Sequence, residues 1–274
     1  MSRRYSPLVS GAVVLGAFAA LVCLERKRPL RRRMEPANRH DARNLAIAGL
    51  AALTVRLFEA PLVERLSRRV ERDRLGLVPR LGLPRGAQVA LGITLLDYTL
   101  YLWHMGTHRI PFLWRVHRVH HVDLDLTATT ATRFHALELL YSVPWRLLQV
   151  AVIGAGPATV RLWQRLTLLS ILFQHSNLRL PPRLDRALSW LVVTPRMHGI
   201  HHSDVRAEAD SNWSSGLTLW DRLHGTLRLD VPQETIRIGT PAHRDPVTLG
   251  RALVLPLREG PNDWSAAPQE EIAP

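Results

Sequence analysis

A nine-residue pattern, R-x-H-x-x-H-H-x-D, occurs twice in this chain, as RVHRVHHVD from Arg115 to Asp123 and as RMHGIHHSD from Arg196 to Asp204. In a helix, positions i, i+3 and i+4 share one face, so each copy aims three imidazoles at one point. His104 and His108, in WHMGTH, do the same at i and i+4. At this chain's own histidine frequency, one H-x-x-H-H arises in only roughly a few per cent of shuffled orders, and two beside an H-x-x-x-H are far rarer. A fold for this chain has to give these clusters a purpose.

Eight neutral imidazoles converging on one region pack poorly, because each has a polar nitrogen to satisfy and protonation sets them against one another. Metal ions remove both problems. Zinc takes three or four protein ligands, so His104, His108, His117, His120, His121, His198, His201 and His202 suit two metals better than one. Imidazole serves Zn, Cu, Fe and Ni alike, which leaves the metal open. The lack of cysteine ligands disfavours a thiolate site, and the lack of an HExxH element removes the common zinc-protease reading. A non-enzymatic alternative, a metal-storing or metal-transporting membrane protein, would place its ligands within apolar spans, whereas these lie at span ends.

The spans come from the apolar runs. Residues 7–24 lie between Arg3-Arg4 and ERKRPLRRR and are long enough to cross a bilayer. A charged continuation with no A-x-A cleavage pattern after the run makes this a retained anchor rather than a signal peptide. Residues 43–63 form a second run, although Arg56 and Glu59 are costly at mid-membrane unless they face protein or one another. Residues 86–103 form a third, and 135–175 hold two more around a turn at Gly154, Gly156 and Pro157. Such a hairpin puts the histidines before and after it on one face of the membrane. The arginines of ERKRPLRRR mark the end of the first span as cytoplasmic, while those of residues 64–85 conflict with a simple five-span count; a re-entrant or interfacial N-terminal pair resolves this. The expected fold is all-α: an integral membrane bundle of four to five hydrophobic segments, with a helical cytoplasmic cap carrying a histidine-rich dimetal site.

The charge balance, 36 Lys and Arg against 23 Asp and Glu with 46% hydrophobic residues, fits a membrane protein. It carries no nucleic-acid signature, and much of the arginine flanks apolar segments. Cys23 is the single cysteine and cannot form an internal disulfide. Three regions follow: membrane segments and a basic linker over 1–85, a region carrying the histidine boxes over 86–232, and a polar tail over 233–274, mobile in its last fifteen or so residues.

The run DYTLYLWHMGTHRIPFLWRVHRVHHVD, then TATTATRFHALE, FQHSNLRLP, TPRMHGIHHSD and NWSSGLTLWDRLHGT, resembles the fatty acid hydroxylase superfamily, in its sterol desaturase branch, across roughly residues 90 to 228. The resemblance implies a membrane oxidoreductase with a histidine-held non-haem di-iron centre, with zinc as a possible substitute. O2 would be the co-substrate, and the reaction would hydroxylate, or alternatively desaturate, a C–H position of a sterol, fatty acyl or related lipid. It implies the eight box histidines as ligands and His175, in FQHSN, as a further one. His135 stands where the family often reads RxHPxE, here with Ala136 for the proline, and suits a structural role or one behind the ligands. Trp213, an added serine before Gly216, and His224 depart from the family's closing motif, so His224 is not expected to be a ligand, and Asp221 is expected to fix the cap by hydrogen bonds. Asp97, Asp123 and Asp204 are placed to accept an N–H from a ligand histidine and fix its tautomer. No dinucleotide, haem or iron–sulfur motif occurs, so a separate ferredoxin- or cytochrome-like donor is expected, with lipid arriving from the bilayer.

Overall fold

A computed structural model describes residues 7–258 and 262–264. Among them the architecture is all-helical, with only isolated bridges such as Pro29–Leu178 in place of a sheet. The long helices are α1 (Pro7–Lys27), α2 (Ala37–Thr54), α3 (Ala60–Asp73), α4 (Arg85–Arg109), α5 (Pro111–His121), α6 (Ala136–Ile153) and α7 (Pro157–His175). Shorter helices follow: α8 (Pro182–Leu188), α9 (Pro195–His201), α10 (Arg206–Ala209), α11 (Leu219–Leu223) and α12 (Leu249–Val254). Each apolar run read from the sequence lies in a helix. By length and composition, two helical stretches, Ala37–Leu81 and Ala136–Ile153, can cross a membrane.

α2 passes through a single π turn, Val55–Glu59, into α3, making one rod of about 55 Å at 1.5 Å per residue. It starts at the histidine end, where His40 meets Asp123, and finishes at the opposite end, where Val63 and Val70 pack with Leu96, Val150, Ile153 and Trp163. α4 returns from there to His104 and His108. α6 leaves again and α7 returns to His175, so four chain passages deliver histidines or their partners to one end.

The breaks between helices have local causes. Ile110 is extended (φ −95°, ψ 113°), and Pro111, with no N–H to lose, opens α5. α6 ends at Gly154 with φ +81°, and Pro157 starts α7. Gly76 (φ +90°) lies directly against Gly154, where a Cβ on either residue would overlap backbone. Leu77 N donates to Val152 O at 2.8 Å and closes this end of the bundle. Leu45, Leu50, Leu53, Leu57, Phe58 and Leu62 along the first rod, and Leu148 and Val152 on α6, are exposed.

Residues 233–258, though polar on average, pack onto the bundle. Ile236 and Ile238 pack with Leu126 and Ile200, while Val247 and Ala252 pack with Ile47, Val119 and Val122. Their apolar residues are widely spaced, so average polarity hid them. The mobile tail expected at the end falls mostly outside the described residues, but Asp263 is buried and accepts from Trp114 Nε1 at 2.9 Å.

Candidate metal centre

Helix phase builds the site first. α4 carries His104 and His108 one turn apart, α5 carries His117, His120 and His121 in its last two turns, and α7 ends on His175. α9 begins where Thr194 accepts from Met197 N at its N-terminus, and brings His198 and His201, with His202 just beyond. All nine histidines meet at one end of the bundle, and the three of α5, the two of α9, His175 and His202 are all buried.

Two quartets form. His104, His108, His121 and His201 make one, and His120, His175, His198 and His202 the other, each with ligand nitrogens within 4.8 Å of one another. Metal–imidazole bonds of about 2.1 Å put ligand nitrogens no more than about 4.2 Å apart, so small side-chain adjustments would suffice. The two H-H pairs bridge the quartets: His120 and His121 go to different ones, as do His201 and His202. The rings of His121 and His202 stack with centroids 4.2 Å apart. His117 belongs to neither quartet, although its centroid lies 5.0 Å from that of His121 and 5.4 Å from that of His120.

The hydrogen bonds reveal which nitrogen is available. His104 Nδ1 donates to Trp213 O at 2.7 Å, His175 Nδ1 to Ile171 O at 2.7 Å, and His201 Nδ1 to Ser211 O at 2.9 Å. A carbonyl only accepts, so in each ring the proton sits on Nδ1 and Nε2 keeps its lone pair. His117 Nδ1 bonds Glu138 Oε1 at 2.7 Å. In the second quartet, His175 Nε2 stands 3.0 Å from His120 Nε2 and 2.9 Å from His198 Nε2, so lone pairs converge. Both nitrogens of His108 and His121, and Nε2 of His117 and His201, are buried without a protein partner among the described residues. Burial, reinforced by the neighbouring imidazoles, holds His120, His121, His198 and His202 well below the usual histidine range, and His201 is lowered to about 3 by burial first. Neutral, convergent and unpartnered nitrogens in two groups of four fit two divalent cations.

The residues expected behind the ligands are placed otherwise. Asp97 accepts from Trp220 Nε1 at 2.7 Å and from Leu217 N at 3.0 Å, because its helix face turns towards the 213–220 segment. Asp123 accepts from His40 Nε2, Asn44 Nδ2 and Thr130 Oγ1 at 2.9–3.0 Å. Burial pushes this carboxyl up, but the facing His40, Arg133 and Arg43 hold it below the usual range. Asp204 pairs with Arg237 at 2.8 Å and Arg244 at 3.2 Å. His135 caps α6, accepting from Leu137 N at 3.1 Å, and reaches Leu253 O at 3.1 Å, which is a structural role. The groups found behind the histidines are Glu138 and three backbone carbonyls. Asp221 is buried and accepts from Trp213 N, Ser214 N and Thr226 Oγ1. It thereby holds the loop whose carbonyl orients His104.

Sequence reading also missed His40, Asn44 and Arg133, which tie α2 to the loop after the second box. Arg133 Nη1 donates to Asn44 Oδ1 at 2.7 Å, and its Nε to Val119 O at 2.9 Å. None of the three repeats a pattern elsewhere in the chain, so only Arg133, in RFHALE, had a local signal. A cavity of about 180 Å³ opens beside the histidines, bordered by His104, His120 and His198 at one end and by Trp103, Phe134 and Ile171 along its side.

Fold and site together define an all-α protein whose helices bring nine histidines together, eight of them in two metal-sized quartets, beside a cavity. A family model described as fatty acid hydroxylase matches residues 89–226, about half the chain and every one of these histidines. The chain belongs to the fatty acid hydroxylase family. It is similar to an ornithine lipid hydroxylase of Rhizobium tropici, at 34% identity over 52% of this chain and 42% of that protein. An alkylglycerol monooxygenase of Xenopus tropicalis matches at 29% identity over 51% of this chain and 29% of that one. A cholesterol 25-hydroxylase of Rattus norvegicus matches at 27% identity, over 52% and 47% respectively. The chain thus spans less than half the length of each of these relatives. No solved structure matches it.

Proposed function

We propose that this chain is a membrane-embedded, O2-dependent oxidoreductase that holds two irons and hydroxylates a C–H bond of a lipid. The observation that carries the reading is the pair of histidine quartets beside a cavity that His104, His120, His175 and His198 line. The hydroxylases and monooxygenases among the relatives favour hydroxylation over desaturation. The balance is one C–H bond, O2, two electrons and two protons giving an alcohol and water.

The proposed holders are His104, His108, His121 and His201 for one iron and His120, His175, His198 and His202 for the other, with His117 beside both. Bound there, the irons would supply reductive activation of dioxygen. The protein's part is to keep Nε2 of His104, His175 and His201 deprotonated through their carbonyl-bound Nδ1 groups, and to orient His117 through Glu138. It also excludes water by burying the histidines, and aligns one substrate C–H in the cavity. Lipid would enter from the bilayer, where apolar chains reach the cavity without crossing water. Electrons would come from a separate ferredoxin- or cytochrome-like donor, and we place the site on the cytoplasmic face from the arginines that surround it.

Elemental analysis with iron-sensitive spectroscopy on detergent-purified protein, paired with lipid analysis of cells with and without the chain, tests this. Two irons per chain and an oxygenated lipid that disappears in His120→Ala at unchanged protein level are expected. Altered cellular metal content with no oxygenated lipid would overturn the enzyme reading.

A further inference from the structure

The cavity beside the histidines continues to a polar wall made by Glu59, Arg146 and Thr167, with Ser142 and Gln174 lining it nearer the histidines. Arg146 lies on α6 eight residues beyond Glu138, which holds His117, and Thr167 lies on α7 eight residues before His175. Both therefore sit about 12 Å from the histidine end along their helices. Glu59 is the last residue of the π turn that interrupts the first rod, a departure from α geometry frequent at functional sites.

These polar groups are incompletely paired. Arg146 Nε stands 3.7 Å from Glu59 Oε1 and has no hydrogen-bond partner among the described residues, although Nη1 donates to Gln149 Oε1 at 2.6 Å. Gln174 is 1% exposed, and neither its Oε1 nor its Nε2 has a partner among the described residues. The Arg146 guanidinium also lies over the Trp163 ring, 4.4 Å from its centroid, which fixes its position. An acid, a guanidinium and an amide with unused hydrogen-bonding capacity are expensive in an apolar bundle unless a ligand completes them.

We infer that this wall is a recognition site for a neutral hydrogen-bonding group of the lipid, a hydroxyl or an amide, held about 12 Å from the carbon presented to the histidines. The charges select the class. A carboxylate or phosphate has to displace Glu59 from Arg146, and an ammonium has to displace Arg146 from Glu59, and either leaves a buried like charge without its partner. A hydroxyl or amide donates to Glu59 and accepts from Arg146 at the same time. Substrate choice then depends on the span between this group and the oxidised carbon, so Glu59 and Arg146 determine specificity and take no part in the oxidation. This inference rests on the hydroxylase reading above.

The test uses the full-length protein in nanodiscs and five probes of equal chain length: dodecanol, N-methyldodecanamide, dodecane, dodecanoate and dodecylammonium. Binding is read by thermal shift and native mass spectrometry. Dodecanol and the amide should bind at least about tenfold more tightly than the other three, the value of one hydrogen bond to a charged group. Glu59→Gln and Arg146→Met should each reduce that preference while leaving metal content unchanged. Equal binding of dodecanol and dodecane by the wild-type protein would overturn the inference, whether or not the variants fold. Preference for dodecanoate or dodecylammonium would do so as well. Because the probes need not be oxidised, absence of an oxygenated lipid in cells speaks against the hydroxylase reading alone.

Discussion

The two copies of R-x-H-x-x-H-H-x-D share a sequence and a helical geometry, yet their surroundings differ at nearly every position. In the first copy, His117 is tied to Glu138 and stands outside both quartets; in the second, the equivalent His198 is a quartet member. The closing aspartates diverge further. Asp123 is buried against His40, Asn44 and Thr130, and Asp204 faces two arginines of which Arg237 is largely exposed. Between the histidines, Arg118 reaches the carbonyls of Leu255 and Arg258, whereas its counterpart Gly199 leaves room for the half-buried Arg31, which bonds Pro195 O at 3.0 Å. Repetition in sequence therefore reports shared local geometry, and partners are assigned by what packs against each copy.

The largest effect expected is at the paired histidines that divide between quartets. His120→Ala and His201→Ala should each lower bound metal from about two to about one per chain. Product should fall by more than the roughly 10–100-fold typical of losing a group behind a ligand. His198→Ala should cost more metal than His117→Ala by elemental analysis; equal losses would erase the distinction drawn between the copies.

Next in size is the contrast between the aspartates. Asp123→Asn leaves the cationic partners around it without their counter-charge and should destabilise the protein by about 3 kcal/mol or more. Asp204→Asn should cost less than about 1 kcal/mol, since its arginines remain in contact with water. Thermal unfolding of the detergent-solubilised variants measures both, and similar losses would mean that the two sites are equally buried in solution.

A smaller change is expected at Glu138→Gln, which retains an acceptor for His117 but removes the charge, and should weaken metal retention by roughly 10–100-fold in chelator competition. The smallest concerns Asp263. Burial alone would raise its carboxyl, but hydrogen bonds from His243 and Trp114 and the Arg118 charge hold it below the usual carboxylate range. A carboxyl lowered on folding contributes stability fully above its unfolded value and loses it as pH falls through the lowered folded value. Asp263→Asn should therefore cost about 1 kcal/mol above about pH 5 and progressively less below about pH 4. A difference that grew on acidification would reverse the sign and sink the assignment.

Much of the framework was readable before any coordinates. The apolar runs are helices, Gly154 and Pro157 mark the hairpin, and the nine histidines named from spacing and resemblance come together at one end. Glu59 and Arg56 were flagged as costly, and Glu59 does face protein, beside Arg146. The aspartates were misread because offset from a histidine along a helix does not say which way a loop beyond that helix turns. Asp123 and Asp204 both lie past the ends of their helices. The packed stretch from 233 to 258 was misread because its few apolar residues have no helical or strand period.

By itself, the sequence determined the helical periodicity that aims each histidine trio, the turns that return the chain, and hence the meeting of all boxes at one end. Those outcomes follow from local backbone geometry and side-chain type, which are written residue by residue. Only the tertiary structure decided the division of histidines into two quartets, the exclusion of His117 from both, and the anchoring of His104, His175 and His201 on carbonyl oxygens. A backbone carbonyl is present at every residue, so no residue type announces the one that will fix a tautomer; only packing brings it within 3 Å.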